Sequence, residues 1–438
     1  MKCLVIGSGA REHAIVNALT RAKTSVEVYC FGGHINPGIH TQCADYHVGD
    51  MLSPQQVTEY AKKQKVEFAI VGPEAPLAAG VADALWAVNI PVVGPKQQLA
   101  NIETSKSFAR DLLTKYGIPG CPQYKTFDSM QDVEAFLQTL GDDYVIKADG
   151  LMGGKGVKVS GDHLHSHDEA LVYCQSLLDK KQRFVIEEKC IGQEFSLLSF
   201  TDGQAVVHMP IVQDHKRAFV GDRGPNTGGM GSYSCADHSL PFINEHDVNA
   251  AKAMNEATIK CMRDEYDENY IGILYGGYMA TKDGVKLIEY NCRFGDPEAM
   301  NVLALLESDF VSLCQAMVNG RLSDESVTFS QKATVCKYVV PEGYPDEPVK
   351  QRAIQVPKEV LPRCYFASVD ENLMLLGSRA VAVLGVGETL EEAERASQEA
   401  VSAIHGPVFY REDIGTQALI DTRIKHMAKI RQEETVNT

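Results

Sequence analysis

The chain has 438 residues, 44% hydrophobic and 23% charged, the balance of a globular protein of roughly two to four domains and not of a disordered or fibrous chain. Lys and Arg total 42 against 58 Asp and Glu, a formal net charge of -16, so unspecific attraction to nucleic acid or to an anionic membrane is not expected. No apolar run reaches the ~18 residues of a spanning helix, and the 12 cysteines form no C-x-x-C pair, which is the usage of a reduced, cytoplasmic protein without a zinc framework.

Met1 to Gly7 enters a glycine turn with no long apolar stretch, so it is expected to be a first strand and not a signal peptide. Strand-like runs Cys3 to Ile6, Val26 to Phe31, Phe68 to Val71 and Pro91 to Val93 alternate with helical patterns Glu12 to Arg21, Pro54 to Lys63 and Pro76 to Val88. That alternation predicts a doubly wound parallel sheet. A helix over Glu103 to Lys115 follows, stopped by Gly117-Ile118-Pro119. Short strands Tyr144 to Ala148, Val157 to Val159, Phe184 to Glu188 and Phe195 to Phe200, with a helix Asp168 to Leu178, read as a small separate lobe. Alternating strands Ile271 to Thr281 and Val285 to Asn291 lie in a longer mixed region. From about Val327 the pattern resets to Ala333 to Val339, Val381 to Val386, a helix Glu391 to Ala403 and a polar tail.

Gly7-Ser8-Gly9-Ala10-Arg11-Glu12-His13 sits at the first strand-to-helix turn, where backbone N–H groups and the helix dipole can hold an anion. It is not a dinucleotide fingerprint, because Glu12 replaces the third glycine and the second strand ends without an acidic residue. Lys147 to Val159 places a glycine-rich loop between two strands. It ends Lys155-Gly156 and enters a strand, so it is no Walker loop, but its glycines let backbone approach phosphate oxygens that Lys147 and Lys155 can neutralise. Alternation puts Glu289, Asn291 and Arg293 on one face of a strand end, two hard oxygen ligands suited to Mg²⁺ beside a guanidinium that can grip a phosphoryl or carboxylate group. Asp296-Pro297-Glu298 is expected to cap and start a helix. Gln213 to Arg217 and Gly221 to Gly231 join a basic patch to a second glycine-rich loop, the pattern of a substrate loop. His163, His165 and His167 lie in a polar turn without a cysteine or carboxylate cluster and do not read as a metal site.

Lys147-Ala-Asp-Gly150 with Gly153-Gly-Lys-Gly156, Val185-Ile-Glu-Glu188 and Ile288 to Glu298 together resemble the ATP-grasp superfamily. With Gly7 to His13, Val71 to Leu77, Gln213 to Arg217, Gly224 to Gly231, Arg379 to Ala393 and Tyr410 to Gly415, the set more closely resembles the phosphoribosylamine-glycine ligases over essentially the whole chain. The resemblance implies an N-terminal doubly wound α/β substrate domain over 1–103, a connecting helical segment over 104–125, a small α+β ATP-grasp lid over 126–192, a central catalytic domain over 193–326 and an α+β C-terminal domain over 327–438. It implies ATP-dependent joining of glycine to 5-phosphoribosylamine through a glycyl phosphate, the second step of de novo purine synthesis, by a cytoplasmic monomer or weak homodimer needing no nucleic acid or membrane. It further implies that Lys106, Lys147 and Lys155 contact the ATP phosphates under a lid of Gly153, Gly154 and Gly156. Adenine would lie against the backbone of Glu187, Glu188 and Cys190, with Glu194 on the ribose, and Glu289 and Asn291 would hold Mg²⁺ or Mn²⁺. Arg293 goes to the phosphoryl or glycine carboxylate. Gly9, Arg11, Glu12, Asp214, Lys216, Asn226, Thr227, Gly228, Gly229 and Met230 go to phosphoribosylamine, and Arg293, Lys155, Asp214 and Lys216 would be catalytic. Gly276-Gly277-Tyr278 offers no metal ligand on the preceding strand. The alternatives are another ATP-grasp carboxylate-amine ligase, a formate-using transformylase or biotin carboxylase, a nucleotide-binding oxidoreductase, and a noncatalytic nucleotide sensor. The basic residues Arg11, Lys106, Lys147, Lys155, Lys216 and Arg293 are expected to make one positive cleft in a negative protein.

Overall fold

The computed structural model describes residues 1–151 and 156–432. Its first sheet is parallel, in the order Asp45–Val48, Glu27–Gly32, Lys2–Ile6, Phe68–Val71, Val92–Val93. The central strand is buried on both sides, as its unbroken apolar run Cys3-Leu4-Val5-Ile6 requires. Two helices expected to be continuous are interrupted. Pro76 to Val88 divides into Glu74–Ala78 and Val81–Trp86 because Gly80 adopts a left-handed φ of 82°. Glu103 to Lys115 divides at Ser105, which is extended and accepts the Phe108 N–H, ending Gln97–Thr104 and capping Lys106–Lys115.

The small lobe is an antiparallel sheet ordered Tyr124–Phe127, Phe184–Glu188, Tyr144–Ala148, Val157–Val159, with its own apolar core under Val133–Leu140 and His167–Asp179. A second antiparallel sheet runs Val206–His208, Gly192–Thr201, Gly272–Thr281, Gly284–Asn291. A 22-residue helix, Glu245–Tyr266, covers it, opened by a reciprocal Asn244/Asp247 cap that the sequence reading passed over.

The boundary expected at 326/327 cuts through a sheet. Gly231–Ser234 pairs with Ala333–Pro341, which pairs in turn with Val381–Gly387, so the central and C-terminal segments share one ladder. The expected polar tail is the helix Gln417–Gln432, which buries Ile420 and Met427, seven residues apart and so on one face. The C-terminal segment also docks on the first domain, where Phe366 donates its N–H to His13 Nδ1 at 3.0 Å and accepts Asn36 Nδ2 at 2.6 Å.

Arg110 fastens the small lobe to the body. From the helix Lys106–Lys115 it grips Glu187 of the lobe bidentately at 2.8 and 2.9 Å, both side chains 3% exposed, and Lys147 completes the pair at 2.8 Å. Burial alone would raise the Glu187 carboxyl, but Arg110 and Lys147 hold it down at about 2. Glu187→Ala is expected to cost about 3–5 kcal/mol at neutral pH by stranding buried cations. The depressed carboxyl stabilises fully above its ordinary value of 4.5, and that stabilisation fades as pH falls toward about 2. Denaturant melts of both proteins should therefore show the wild-type advantage shrinking below about pH 4.5; a constant gap would contradict this account.

Candidate active site

The strand Gly284–Asn291 carries a bulge: Gly277 faces Glu289 and Tyr278 faces Leu287, so Ile288 is the extra residue. A bulge frees backbone groups from the ladder. The Ile288 carbonyl accordingly accepts Arg110 Nη2 at 2.8 Å and Lys147 Nζ at 3.0 Å. Opposite Glu289, Gly277 carries no side chain; a Cβ there would stand 3.3 Å from the Tyr275 ring and 3.4 Å from Glu289 Cγ. Glu289 has no hydrogen-bond or ion-pair partner among the described residues. Burial would raise its carboxyl, but Lys216, Lys147, Lys106 and Arg293 pull it below the ordinary range. Four cations from four parts of the chain thus converge on one ionised, unpaired carboxylate.

Each of these cations already has a partner, which corrects the expectation of one positive cleft. Arg11 binds Glu12 at 2.6 Å, Lys147 binds Glu187, Lys216 binds Glu194 at 2.8 Å, and Arg293 binds Glu74 at 3.1 Å and Glu103 at 2.8 Å. Lys106 Nζ donates to the Gly150 carbonyl at 2.8 Å, and burial lowers its pKa. The site is a lattice of alternating charge. Glu194, placed on the ribose by the sequence reading, is the counter-charge of Lys216.

Arg293 is the most constrained member. Nε donates to Glu74, Nη1 to the Phe294 carbonyl, and Nη2 to Glu103 and to Asn291 Oδ1 at 3.3 Å, so four of its five N–H groups are taken. A two-pronged grip on a ligand is not open to it in this geometry. Burial would raise the Glu74 carboxyl, and Arg293 and Arg11 hold it at about 2.

On the other side of the cleft, Glu194, Ser196, Asp214, Lys216, Tyr275 and Gly277 face one another. Burial first and the charge of Glu298 second push the Asp214 carboxyl well above its usual range. Glu298 accepts from Tyr275 at 3.0 Å and from Ser196 at 3.3 Å. Gly229, at φ 111°, packs so closely that a Cβ would lie 2.7 Å from Asp214 Oδ1. Arg379 holds this loop: Nη1 donates to the carbonyls of Gly228 at 2.7 Å, Gly229 at 3.0 Å and Asp296 at 3.0 Å. Asp296 does not cap the next helix as expected. Pro297 is the N-cap of Glu298–Leu305 without a side-chain bond, and Asp296 accepts the Tyr338 hydroxyl at 2.6 Å.

Several other assignments change. Glu12 is 2% exposed and occupied, accepting the Gly9 N–H at 2.6 Å as a helix cap and the Arg11 side chain at 2.6 Å, so it is a support for the Gly9 turn and not an open ligand group. Met230 is fully buried in the core. Thr227 accepts the Gly229 N–H and donates to the Lys216 carbonyl, shaping the loop, while Asn226 pairs with Arg217 in a short hairpin. Glu187 acts through its side chain on Arg110 and Lys147, and the N–H groups of Glu188 and Lys189 are bonded to Gln123 and Asp143, which leaves Cys190 at the crossover into Gly192–Thr201. The Gly156 carbonyl accepts the Ala148 N–H; Gly153, Gly154 and Lys155 lie outside the described residues. Among the described residues, His163 Nδ1 accepts the Val159 N–H and His167 Nε2 bonds the Gly141 carbonyl, 26 residues away.

The sequence reading passed over Glu74, Glu103, Arg110, Tyr275, Glu298 and Arg379 as site residues. Glu74, Glu298 and Arg379 stand inside motifs it quoted; Glu103 and Arg110 carry no local signal, because their partners lie 190 and 77 residues away.

Family models for phosphoribosylglycinamide synthetase match residues 1–103 as its N domain, 104–299 as its ATP-grasp (A) domain and 334–417 as its C domain. A phosphoribosylamine-glycine ligase of Methanosarcina barkeri is 49% identical over 98% of this chain and 100% of its own. One of Pyrococcus furiosus is 45% identical over 100% of both. Among solved structures, the phosphoribosylamine-glycine ligase of Thermotoga maritima superposes with a TM-score of 0.79 at 30% identity, covering 94% of this chain and 100% of that one. A biotin carboxylase of Campylobacter jejuni superposes at 0.72 with 12% identity over 100% of this chain and 96% of that one, a likeness of fold alone. Matched along nearly its full length in sequence and in structure, the chain belongs to the phosphoribosylglycinamide synthetase family, built on the ATP-grasp fold.

Proposed function

We propose that the chain joins glycine to 5-phosphoribosylamine, converting ATP to ADP and phosphate and forming glycinamide ribonucleotide, the second step of de novo purine synthesis. The observation that carries this reading is the ionised, unpaired Glu289 ringed by Lys106, Lys147, Lys216 and Arg293, in a family whose relatives bear that ligase's name over their whole length. In the first step a glycine carboxylate oxygen bonds to the γ-phosphorus and ADP leaves. In the second the ribosylamine nitrogen bonds to the acyl carbon, phosphate leaves, and the nitrogen gives up a proton.

Lys106 and Lys147, which converge on Glu289, are assigned to the ATP phosphate oxygens, as are Lys155 and the Gly153, Gly154, Gly156 loop. Cys190 is assigned to adenine. The donor set fits a divalent cation: a carboxylate kept ionised and unpaired, and an Asn291 oxygen with one lone pair engaged by Arg293. Two protein oxygens suit Mg²⁺, which fills its remaining positions with water and phosphate. Mg²⁺ or Mn²⁺ held there would spread the charge that develops on the transferring phosphoryl group. The remaining Arg293 N–H is assigned to the glycine carboxylate or the phosphoryl group. Asp214 and Lys216 line the other side of the cleft and are assigned to the amine substrate and its reaction. Gly9, Arg11 and the Gly228-Gly229 turn are assigned to phosphoribosylamine. The reading is of a cytoplasmic monomer or weak homodimer acting without nucleic acid or membrane; the net charge of -16 supports the last two points.

Steady-state ADP release is expected only when ATP, glycine and 5-phosphoribosylamine are all present. Release with bicarbonate or formate in place of glycine would move the chain to a sister ATP-grasp activity. Glu289→Ala is expected to lower kcat by at least ~10²–10³-fold at millimolar Mg²⁺ with circular dichroism and melting temperature unchanged; retained turnover would remove the metal role from Glu289.

A further inference from the structure

We infer that Glu103 is a positioning residue, whose buried carboxylate aims the Arg293 guanidinium and pins the backbone at Cys292 so that Asn291 and the last free Arg293 N–H face the cleft. The inference rests on the function proposed above and adds a residue that makes no substrate contact of its own.

Glu103 lies in the last turn of the helix Gln97–Thr104, on the far side of a 190-residue separation from its partners. Its side chain is 6% exposed. One oxygen accepts Arg293 Nη2 at 2.8 Å; the other accepts the Cys292 N–H at 2.7 Å and the Cys292 thiol at 3.2 Å. A buried ion pair is a weak source of net stability, and an apolar contact would serve packing alone as well. What the carboxylate adds is direction. A guanidinium is planar and rigid, so anchoring Nε on Glu74 and Nη2 on Glu103 fixes its plane. With Nη1 also donating to the Phe294 carbonyl, a single Nη1 N–H is left to a ligand. The same Nη2 donates to Asn291 Oδ1, so the orientation of the proposed metal ligand depends on that plane too.

The helix that Glu103 ends also sets a neighbouring anchor. Ser105 breaks the helix, and the N–H groups of Lys106 and Ser107 then hold the Asp149 carboxylate at 2.7 and 3.2 Å at the base of the glycine-rich loop. Asp149, and not Glu103, therefore fixes the backbone at Lys106. A change at Glu103 should register at Arg293 and Asn291 more than in ATP affinity.

The test uses full-length Glu103→Gln, which keeps size and an acceptor for the Cys292 N–H but removes the charge facing Arg293. The expected result is a fall in kcat on the order of 10- to 100-fold, as for slight misplacement of a reacting group, with KM for ATP close to wild type and the protein folded by circular dichroism, though with a lowered melting temperature because one partner of a buried pair is lost. In a double-mutant cycle, adding Glu103→Gln to Arg293→Gln should cause no further loss, because the two act as one unit. Unchanged kcat in the single variant, or losses that add in the double, would overturn the inference. If Glu103→Gln does not fold, Glu103→Asp takes its place, retaining the charge but withdrawing it by one methylene; wild-type kcat in that variant would equally overturn it. A wild-type enzyme that does not require glycine and phosphoribosylamine would defeat the functional reading instead, whereas a fully active Glu103→Gln enzyme using both would defeat the positioning role alone.

Discussion

Glu289 is held charged inside the protein without a bonded partner among the described residues, and the rest of the site is arranged around that constraint. Isolated burial of a carboxylate is costly enough that it would ordinarily take up a proton. Here Lys216, Lys147, Lys106 and Arg293 keep it ionised from a distance, leaving its oxygens unoccupied. Those cations would in turn repel one another by several kcal/mol at an effective dielectric of about 20, and the second ring of carboxylates, Glu187, Glu194, Glu74 and Glu103, offsets that repulsion. The alternation explains how a chain of net charge -16 can gather basic groups at one place without a wholly positive cleft.

Two backbone irregularities make the arrangement possible. The bulge at Ile288 turns a ladder carbonyl into an acceptor for Lys147 and Arg110, so the lobe and the body are joined at the residue just before Glu289. Gly277 across the ladder supplies no side chain beside the Glu289 carboxylate.

The C-terminal segment belongs to the site through Arg379, which reaches across to the Gly228-Gly229 turn and Asp296 while stacking 4.4 Å from the Tyr338 ring. Tyr338 lies on the strand Ala333–Pro341 that bridges the central segment to the C-terminal sheet. The residue just before it, Lys337, points to the opposite face of the strand and is fully buried, bonded to Glu394, Gln398 and the Glu412 carbonyl. The Gly228-Gly229 turn is thus held by a side chain of the C-terminal segment, which a boundary drawn from periodicity alone could not reveal.

By itself the sequence determined what short-range physics controls: the parallel first sheet, from apolar runs between amphipathic helices; the strand Phe184–Glu188; and the convergence of chemistry on Glu289, Asn291 and Lys147, whose residue types announce it. It also showed the family, because motifs in order survive without knowledge of contacts. Tertiary structure decided the rest. Whether Arg293 is free or bound depended on Glu74 and Glu103, 219 and 190 residues away, and the occupation of Glu12 depended on how the Gly9 turn closes. The Ser105 break and the tail helix are set by capping and by burial against other elements, where tertiary contact outweighs local propensity. Charge pairing is long-range in the chain and short-range in space, and for that reason the partners of the cations around Glu289 were legible only once the fold was in hand.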